Sequence, residues 1–259
     1  MRIGMVISGG DVTGINNFVF QIGRMAQAEM VIFDGGIPGL LENNHREISQ
    51  RDLLDFSIAS IPVMQSGRTE KKLVRSEYES IARQLKSARI DILIMAGGDG
   101  SLQFLHTLSA YGVNCFGVGM TIDNDVFGSD YTLGFSTACE QVLKEVAKLR
   151  NTGRALPGRV FMLELLGGYC GELTLQSAIK SNADIALIPE CQIPLPQLAQ
   201  RITGRLAEQN SVVILCSEGY TREYSPGFQG AIDTLIKQYV PHFSISNCVA
   251  RNFQFSLTK

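Results

Sequence analysis

Ile90-Asp91-Ile92-Leu93-Ile94-Met95-Ala96 runs straight into Gly97-Gly98-Asp99-Gly100-Ser101, and a helical stretch, Leu102–Leu108, follows. The apolar run is short and continuous rather than alternating, the pattern of a parallel strand buried on both faces. The same kind of run recurs at Ile3–Ser8, Met30–Phe33, Asn114–Val118, Arg159–Leu165, Asp184–Ile188 and Ser211–Cys216, each bounded by Gly, Asn, Asp or Pro. Helical patterns lie between them. In Thr137–Leu149, Ala138, Val142 and Val146 repeat at helical spacing, and Leu143 and Leu149 widen the stripe. Strand and helix in alternation give an α/β fold with mostly parallel sheets flanked by helices. Ligands in such sheets bind beyond the carboxyl ends of the strands.

Asn151–Gly158 carries Gly153, Pro157 and Gly158 and reads as a helix break, so two lobes are expected, 1–150 and 151–259. Pro38–Lys72 has weaker periodicity and no clear assignment. At 259 residues and 45% hydrophobic, the chain can bury a sizeable core. Its 23 basic and 25 acidic side chains leave a net charge of −2 with no polybasic run, which argues against nucleic acid or a membrane surface as partner. The amino terminus lacks a signal-like segment, and no apolar stretch reaches the ~20 residues that span a bilayer. A cytoplasmic protein is expected. The six cysteines show no metal or disulfide spacing and read as reduced, packed thiols.

Three strand-end turns carry the candidate chemistry. Ser8-Gly9-Gly10-Asp11 closes the first strand, and an amphipathic run begins near Asn16. Glycine lets backbone N–H groups converge, and a helix amino terminus adds positive partial charge, so strand, glycine turn and helix suit an anion. In Gly97–Ser101 the glycines admit phosphate, Asp99 suits Mg²⁺, and Ser101 can donate to a phosphate oxygen or cap the helix. Thr121-Ile122-Asp123-Asn124-Asp125 follows the strand Asn114–Val118, and alternation in an extended segment would put Asp123 and Asp125 on one side. Such a pair can divide proton removal from metal support. Each motif alone could be a plain turn; three at equivalent strand ends point to phosphoryl chemistry.

With these motifs in order, the chain resembles the 6-phosphofructokinase family. The likeness continues through Asp130–Ala138, Tyr169–Leu175, Pro189-Glu190 and Ser217-Glu218-Gly219 and covers nearly the whole chain. It implies two Rossmann-like lobes, the first for the phosphoryl donor and the second for the acceptor. It implies that Asp123 is the general base, with Thr121 and Asp125 as partners. It makes Asp99 the magnesium-associated residue and Gly10 a backbone donor to the transferred group. Gly9, Gly97, Gly98, Gly100 and Ser101 would complete the donor cradle. Gly100, in place of aspartate, is similar to ATP-using members. Arg68 resembles an arginine bridging donor and acceptor. Arg159 resembles one that grips substrate phosphate in a neighbouring subunit, which implies a dimer or tetramer. Gly167, Glu218, His242 and Arg251 fall at acceptor positions.

The departures from the family pattern concentrate around both substrates. Gly168 stands where the family has an arginine, and His242 and Cys248 stand where an arginine and a histidine would hold sugar phosphate. Phe104 replaces a small glycine, and Leu73 and Tyr78 fall where arginines meet ATP. Met120 matches neither ATP-using nor diphosphate-using members, and the family has further elements beyond the counterpart of Lys259, so a shortened second lobe is expected. The resulting expectation is a magnesium-dependent kinase using ATP on a small hydroxylated acceptor other than fructose 6-phosphate. The alternative is a non-catalytic homologue that binds a ligand.

Overall fold

A computed structural model of the chain describes residues 1–59, 62–69, 71–223 and 244–247. They divide into two compact units. The first holds 1–121 and 125–134; the second holds 122–124 and the described residues from Phe135 onward.

In chain order the first unit is β1 (Arg2–Ser8), α1 (Ile15–Ala26), β2 (Glu29–Phe33), α2 (Gly36–Leu41), β3 (His45–Ile48), α3 (Gln50–Ile58), α4 (Arg75–Ser87), β4 (Ile92–Gly97), α5 (Asp99–Ser109), β5 (Cys115–Thr121) and β6 (Leu133–Gly134). Its sheet runs β3-β2-β1-β4-β5-β6. Only the β2–β3 pairing is antiparallel among the described residues. From β1 the chain builds outward to one edge, returns, and builds from β4 to the other. The order therefore reverses between β1 and β4, the place where a doubly wound sheet opens a crevice at its carboxyl end.

The second unit follows with α6 (Phe135–Ala155), β7 (Arg159–Leu165), α7 (Glu172–Ser181), β8 (Ile185–Leu187), α8 (Leu195–Glu208), β9 (Ser211–Ser217), α9 (Glu218–Glu223) and β10 (Ser244–Asn247). Its sheet is parallel in the order β10-β7-β9-β8.

Burial on both faces explains why the strand runs do not alternate. In β9, Val212, Ile214 and Cys216 pack with Leu198, Ala199 and Ile202 of α8. The intervening Val213 and Leu215 pack with Val142, Val146 and Leu149 of α6. Successive side chains in a strand face opposite ways, so both sets must be apolar. In the first unit, Val6, Val31, Leu93 and Met95 meet Ile81 and Leu85 of α4 and Leu105 and Leu108 of α5.

One expectation from the sequence is corrected, and one stretch it left unassigned is filled in. The 151–158 stretch is not where the units divide: α6 continues through Ala155, and the division falls between Gly134 and Phe135. Gly153 is tolerated inside the helix because it is a close-packing position. A Cβ there would lie 2.6 Å from the Ser211 Cβ, so the glycine lets α6 lie against β9. Pro38–Lys72 is not irregular throughout. It contains part of α2, all of β3, and α3, whose amino end is closed by a Ser49–Asp52 capping box.

Cys139 and Cys216 are buried and free, and burial pushes the Cys115 thiol up to about 11. Cys191 departs from the packed-thiol expectation and is exposed; Cys248 lies outside the described residues. No helix among the described residues is long and apolar enough to cross a membrane.

Ile202 is fully buried between α8 and the sheet. Ile202→Ala should destabilise the protein by about 2–5 kcal/mol, the usual cost of such a cavity. A loss below about 1 kcal/mol in urea denaturation would show that α8 does not pack on this sheet as described.

Candidate active site

Sheet register sets the site's first half. Ser8 pairs with Gly97, and Gly97 pairs with Gly119, a row at which β1 and β4 end level while β5 runs two residues further, to Thr121. The turns that leave this row are tied together. The Ser101 hydroxyl lies 2.9 Å from the Ser8 hydroxyl. Gly97 is required by crowding: a Cβ there would lie 2.6 Å from the Ser8 carbonyl oxygen and 2.6 Å from the Ser101 Cβ.

Beyond the row, two helices start without help from side chains. Gly14 precedes α1 and Gly98 precedes α5, and neither helix has a side-chain cap. Their first N–H groups face outward as helix amino ends do, which suits an anion. A Cβ on Gly100 would meet nothing within 4 Å, so the first turn of α5 is open to a close approach. Asp99 is exposed in that turn, and its Oδ2 accepts from Gln103 Nε2 at 2.7 Å. Partial burial pushes the nearby Asp11 carboxyl above its usual range.

The loop bearing Arg68 is hung on the end of β1. Gly9 N–H donates to the Gly67 carbonyl at 3.2 Å, and the Ser66 hydroxyl donates to the Gly9 carbonyl at 2.8 Å. The Arg68 guanidinium lies over the glycine turn, 3.1 Å from where a Gly10 Cβ would be. The sequence reading missed the residue that holds this loop. Asp34, just after β2, accepts from the Gln65 N–H at 2.8 Å and pairs with Arg46 at 3.0 Å. Its signal was legible, since Asp34-Gly35-Gly36 is another strand-end glycine turn.

The aspartate pair is arranged differently from the expectation. β5 ends at Thr121, and Asn124 has a left-handed backbone with φ 55°. The segment bends instead of extending, so alternation does not relate Asp123 to Asp125. Asp123 is half-buried and belongs to the second unit; Asp125 is exposed and belongs to the first. The Thr121 carbonyl accepts from the buried Thr132 hydroxyl at 2.6 Å, which secures the end of β5.

In the second unit, Leu165 pairs with Ser217, so the loops after β7 and β9 also leave side by side. Glu218 Oε1 accepts from the Gly168 N–H at 2.8 Å and from the Gly167 N–H at 3.3 Å. A Cβ on Gly168 would lie 4.0 Å from Asp123 Oδ2, so position 168 stands beside the proposed base. Glu190, another residue the sequence reading left out of the site, accepts from the Gly171 N–H at 2.7 Å. Its signal was the Pro189-Glu190 pair. Arg159 opens β7, about 20 Å at the usual rise per residue from Leu165 at the other end of the strand, after which Gly167 follows. The structure therefore does not bring Arg159 to the Glu218 loop of its own chain. His242 and Arg251 lie outside the described residues.

The phosphofructokinase family model matches residues 2–253. The chain belongs to the phosphofructokinase family.

That family's activity is transfer of a phosphoryl group to an alcohol acceptor. Among curated relatives, a probable ATP-dependent 6-phosphofructokinase of Mycoplasma pneumoniae is 33% identical over 250 residues, covering 95% of this chain and 74% of its own length. The ATP-dependent 6-phosphofructokinase of Blochmanniella floridana is 33% identical over 208 residues, covering 78% of this chain but 63% of its own length. This chain therefore spans roughly two thirds to three quarters of those relatives. The solved phosphofructokinase of Saccharomyces cerevisiae matches with a TM-score of 0.83 at 21% identity, over 97% of this chain and 38% of its own. A pyrophosphate-dependent phosphofructokinase from Nitrosospira multiformis matches at 0.80 with 17% identity, over 96% of this chain and 69% of its own. At those identities the two structures bear out the phosphofructokinase fold.

Magnesium fits the donor set of this family member. Mg²⁺ takes one or two carboxylates and completes its shell with water and substrate phosphate. Asp99 offers such a carboxylate in the first turn of α5. No cluster of three or more His, Cys, Asp or Glu side chains that could cage a metal occurs among the described residues.

Two glycines separate structural from functional need. Gly97→Ala should cost about 1–3 kcal/mol, as overpacking does. Gly100→Ala should leave stability unchanged or raise it by up to about 1 kcal/mol, since alanine favours helix. It should nonetheless weaken donor phosphate binding about tenfold or more, the equivalent of ~1.4 kcal/mol. Equal donor affinity in Gly100→Ala and the parent protein, by calorimetry, would remove the α5 turn from the donor site.

Proposed function

We propose that this chain is a magnesium-dependent kinase that moves the terminal phosphoryl group of ATP to a hydroxyl of a sugar phosphate or similar small metabolite. The observation that carries this is the row Ser8–Gly97–Gly119 at the point where strand order reverses, with uncapped helix starts beside it. ATP as donor is supported by the relatives' names and by Gly100.

The residues divide the work by unit. In the first, backbone N–H groups of Gly10, Gly98 and Gly100 would receive the donor's phosphate oxygens, Gly9, whose N–H is held by the Gly67 carbonyl, would shape the turn, and Arg68 would offset charge on the transferred group. Ser101 serves there by bracing the Ser8 turn. Asp99 would hold Mg²⁺, which when bound neutralises phosphate charge. In the second, Glu218 holds the Gly167–Gly168 loop through Oε1 and would also meet an acceptor hydroxyl. Asp123 would take the acceptor proton as that oxygen bonds phosphorus and the bond to the donor's bridging oxygen breaks. Thr121 and Asp125 flank it in sequence as its proposed supports.

The acceptor needs a finer statement. The relatives' names make fructose 6-phosphate the first candidate, and neither they nor the family model support another acceptor. The reading that fructose 6-phosphate is a poor acceptor rests on Gly168, since His242 and Cys248 lie outside the described residues. A charged donor to phosphate contributes about 1.5–3 kcal/mol, so its loss weakens binding roughly tenfold to a hundredfold. A Michaelis constant for fructose 6-phosphate in the millimolar range is expected; a sub-millimolar value with ordinary kinase turnover would overturn that reading.

Asp123→Ser should lower turnover by about 10²–10⁴ with the fold intact, the range for loss of a general base. Unchanged turnover in a folded variant would take Asp123 out of the mechanism.

A symmetric oligomer is also proposed. Its support is Arg159, remote from its own Glu218 loop, together with exposed Phe116 and Phe127. Light scattering at micromolar concentration should give a dimer or tetramer; a monomer would count against both the oligomer and Arg159 as a phosphate ligand.

A further inference from the structure

The open turn at the start of α5 leads directly to three stacked rings. Gly100 and Phe104 are four residues apart on α5 and so share a face. A helical side chain leans toward the amino end of its helix and covers the turn before it. The Phe104 ring is thereby directed back toward the turn that carries Gly100. It is not a free platform. Tyr78 of α4 stacks on it with centroids 5.4 Å apart and planes 25° apart. Tyr111, just past α5, stacks on Tyr78 at 5.4 Å and 7°. Phe104 is only 6% exposed, and Leu73 and Leu102 pack against the same cluster.

A base is recognised either by an open ring face or by polar groups that meet its edge. Here one Phe104 face is spent on Tyr78, and Leu73 and Leu102, packed on the same cluster, carry no hydrogen-bonding side chain, which leaves the Tyr78 and Tyr111 hydroxyls as the stack's polar groups. The turn at Gly98–Gly100 stays open for phosphate, while the space further along the same helix face is filled by the Phe104 ring and the Tyr78 ring stacked on it.

We infer that the Phe104–Tyr78–Tyr111 stack makes the donor site blind to the base: the donor is held by its phosphates, and the nucleoside beyond them is not selected. This rests on the proposed donor site at the α5 turn. It adds a specificity that the reaction alone does not require, because the bond broken lies between phosphorus and its bridging oxygen whatever the leaving group carries.

Calorimetry of the full chain with magnesium and, in turn, ATP, GTP, CTP, UTP and inorganic tripolyphosphate tests it. The four nucleotides should bind within about threefold of one another and tripolyphosphate within about tenfold of ATP, since specificity is a difference of affinities. ATP binding tenfold or more tightly than UTP, and more than tenfold above tripolyphosphate, would overturn the inference while leaving the kinase reading intact. No binding by any of the five would overturn the donor site itself and the inference with it. Phe104→Ala should open the filled space and raise the preference for ATP over tripolyphosphate about tenfold or more; an unchanged ratio in the folded variant would deny the stack its role. Should that variant not fold, Phe104→Leu, which removes the ring and keeps most of the volume, should shift the ratio in the same direction, and no shift would again count against the stack.

Discussion

Parallel pairing of β1 with β4 and of β4 with β5 is the constraint from which the site follows. Register places Ser8 beside Gly97 and Gly97 beside Gly119, so the turns after β1 and β4 emerge at one level of one sheet edge and β5 runs two residues past them. A shift of one residue would stagger the glycine turns and move every side chain to the opposite face. Both faces of this sheet are packed, so the register cannot slide without expelling buried groups such as Val6 and Met95. The core thereby fixes the relative positions of backbone N–H groups that no side chain could hold as firmly. A groove lined by Arg24, Gln27, Ala28, Glu29 and Ile48 sits at the amino ends of these strands, away from the turns.

The two units are built on the same principle with different residues. In the first, the strand-end turns are glycine and serine, and charge enters through Arg68 and Asp99. In the second, a carboxylate does the bracing: Glu218 gathers the Gly167 and Gly168 N–H groups, and Glu190 takes that of Gly171. One Glu218 oxygen is thus committed to structure. Loss of the Glu218 carboxylate would free the loop as well as remove the proposed acceptor contact, so its effect on binding cannot be read as a single hydrogen bond.

Much of the fold was legible because the strands are buried on both faces, which leaves an unambiguous apolar run between turn residues. Arg159–Leu165 matches β7 to the residue, and Ser211–Cys216 falls one short of β9. What was hidden has physical reasons. β3 is an edge strand, and its exposed His45, Arg46 and Glu47 erase the apolar signal. Gly153 suggests a break from its intrinsic propensity, yet close packing against Ser211 outweighs that cost. Asn124 in a left-handed conformation is invisible to a period-two rule, which is why the two aspartates are not related by strand alternation. The site motifs were legible as strand-end turns. The braces Asp34 and Glu190 stand in legible stretches, Asp34-Gly35-Gly36 and Pro189-Glu190, but their partners are not legible, because a carboxylate accepting from a distant backbone N–H is not marked in the local pattern.

The most direct test of the phosphate site is to map backbone amide shifts by NMR as magnesium and ATP are added. The largest changes are expected at Gly9, Gly10, Gly98, Asp99, Gly100 and Ser101, where helix starts and glycine turns share one sheet edge. Changes centred instead on Arg24, Gln27 and Glu29 at the other end of the strands, with the glycine turns unmoved, would contradict the assignment of this edge as the phosphate site.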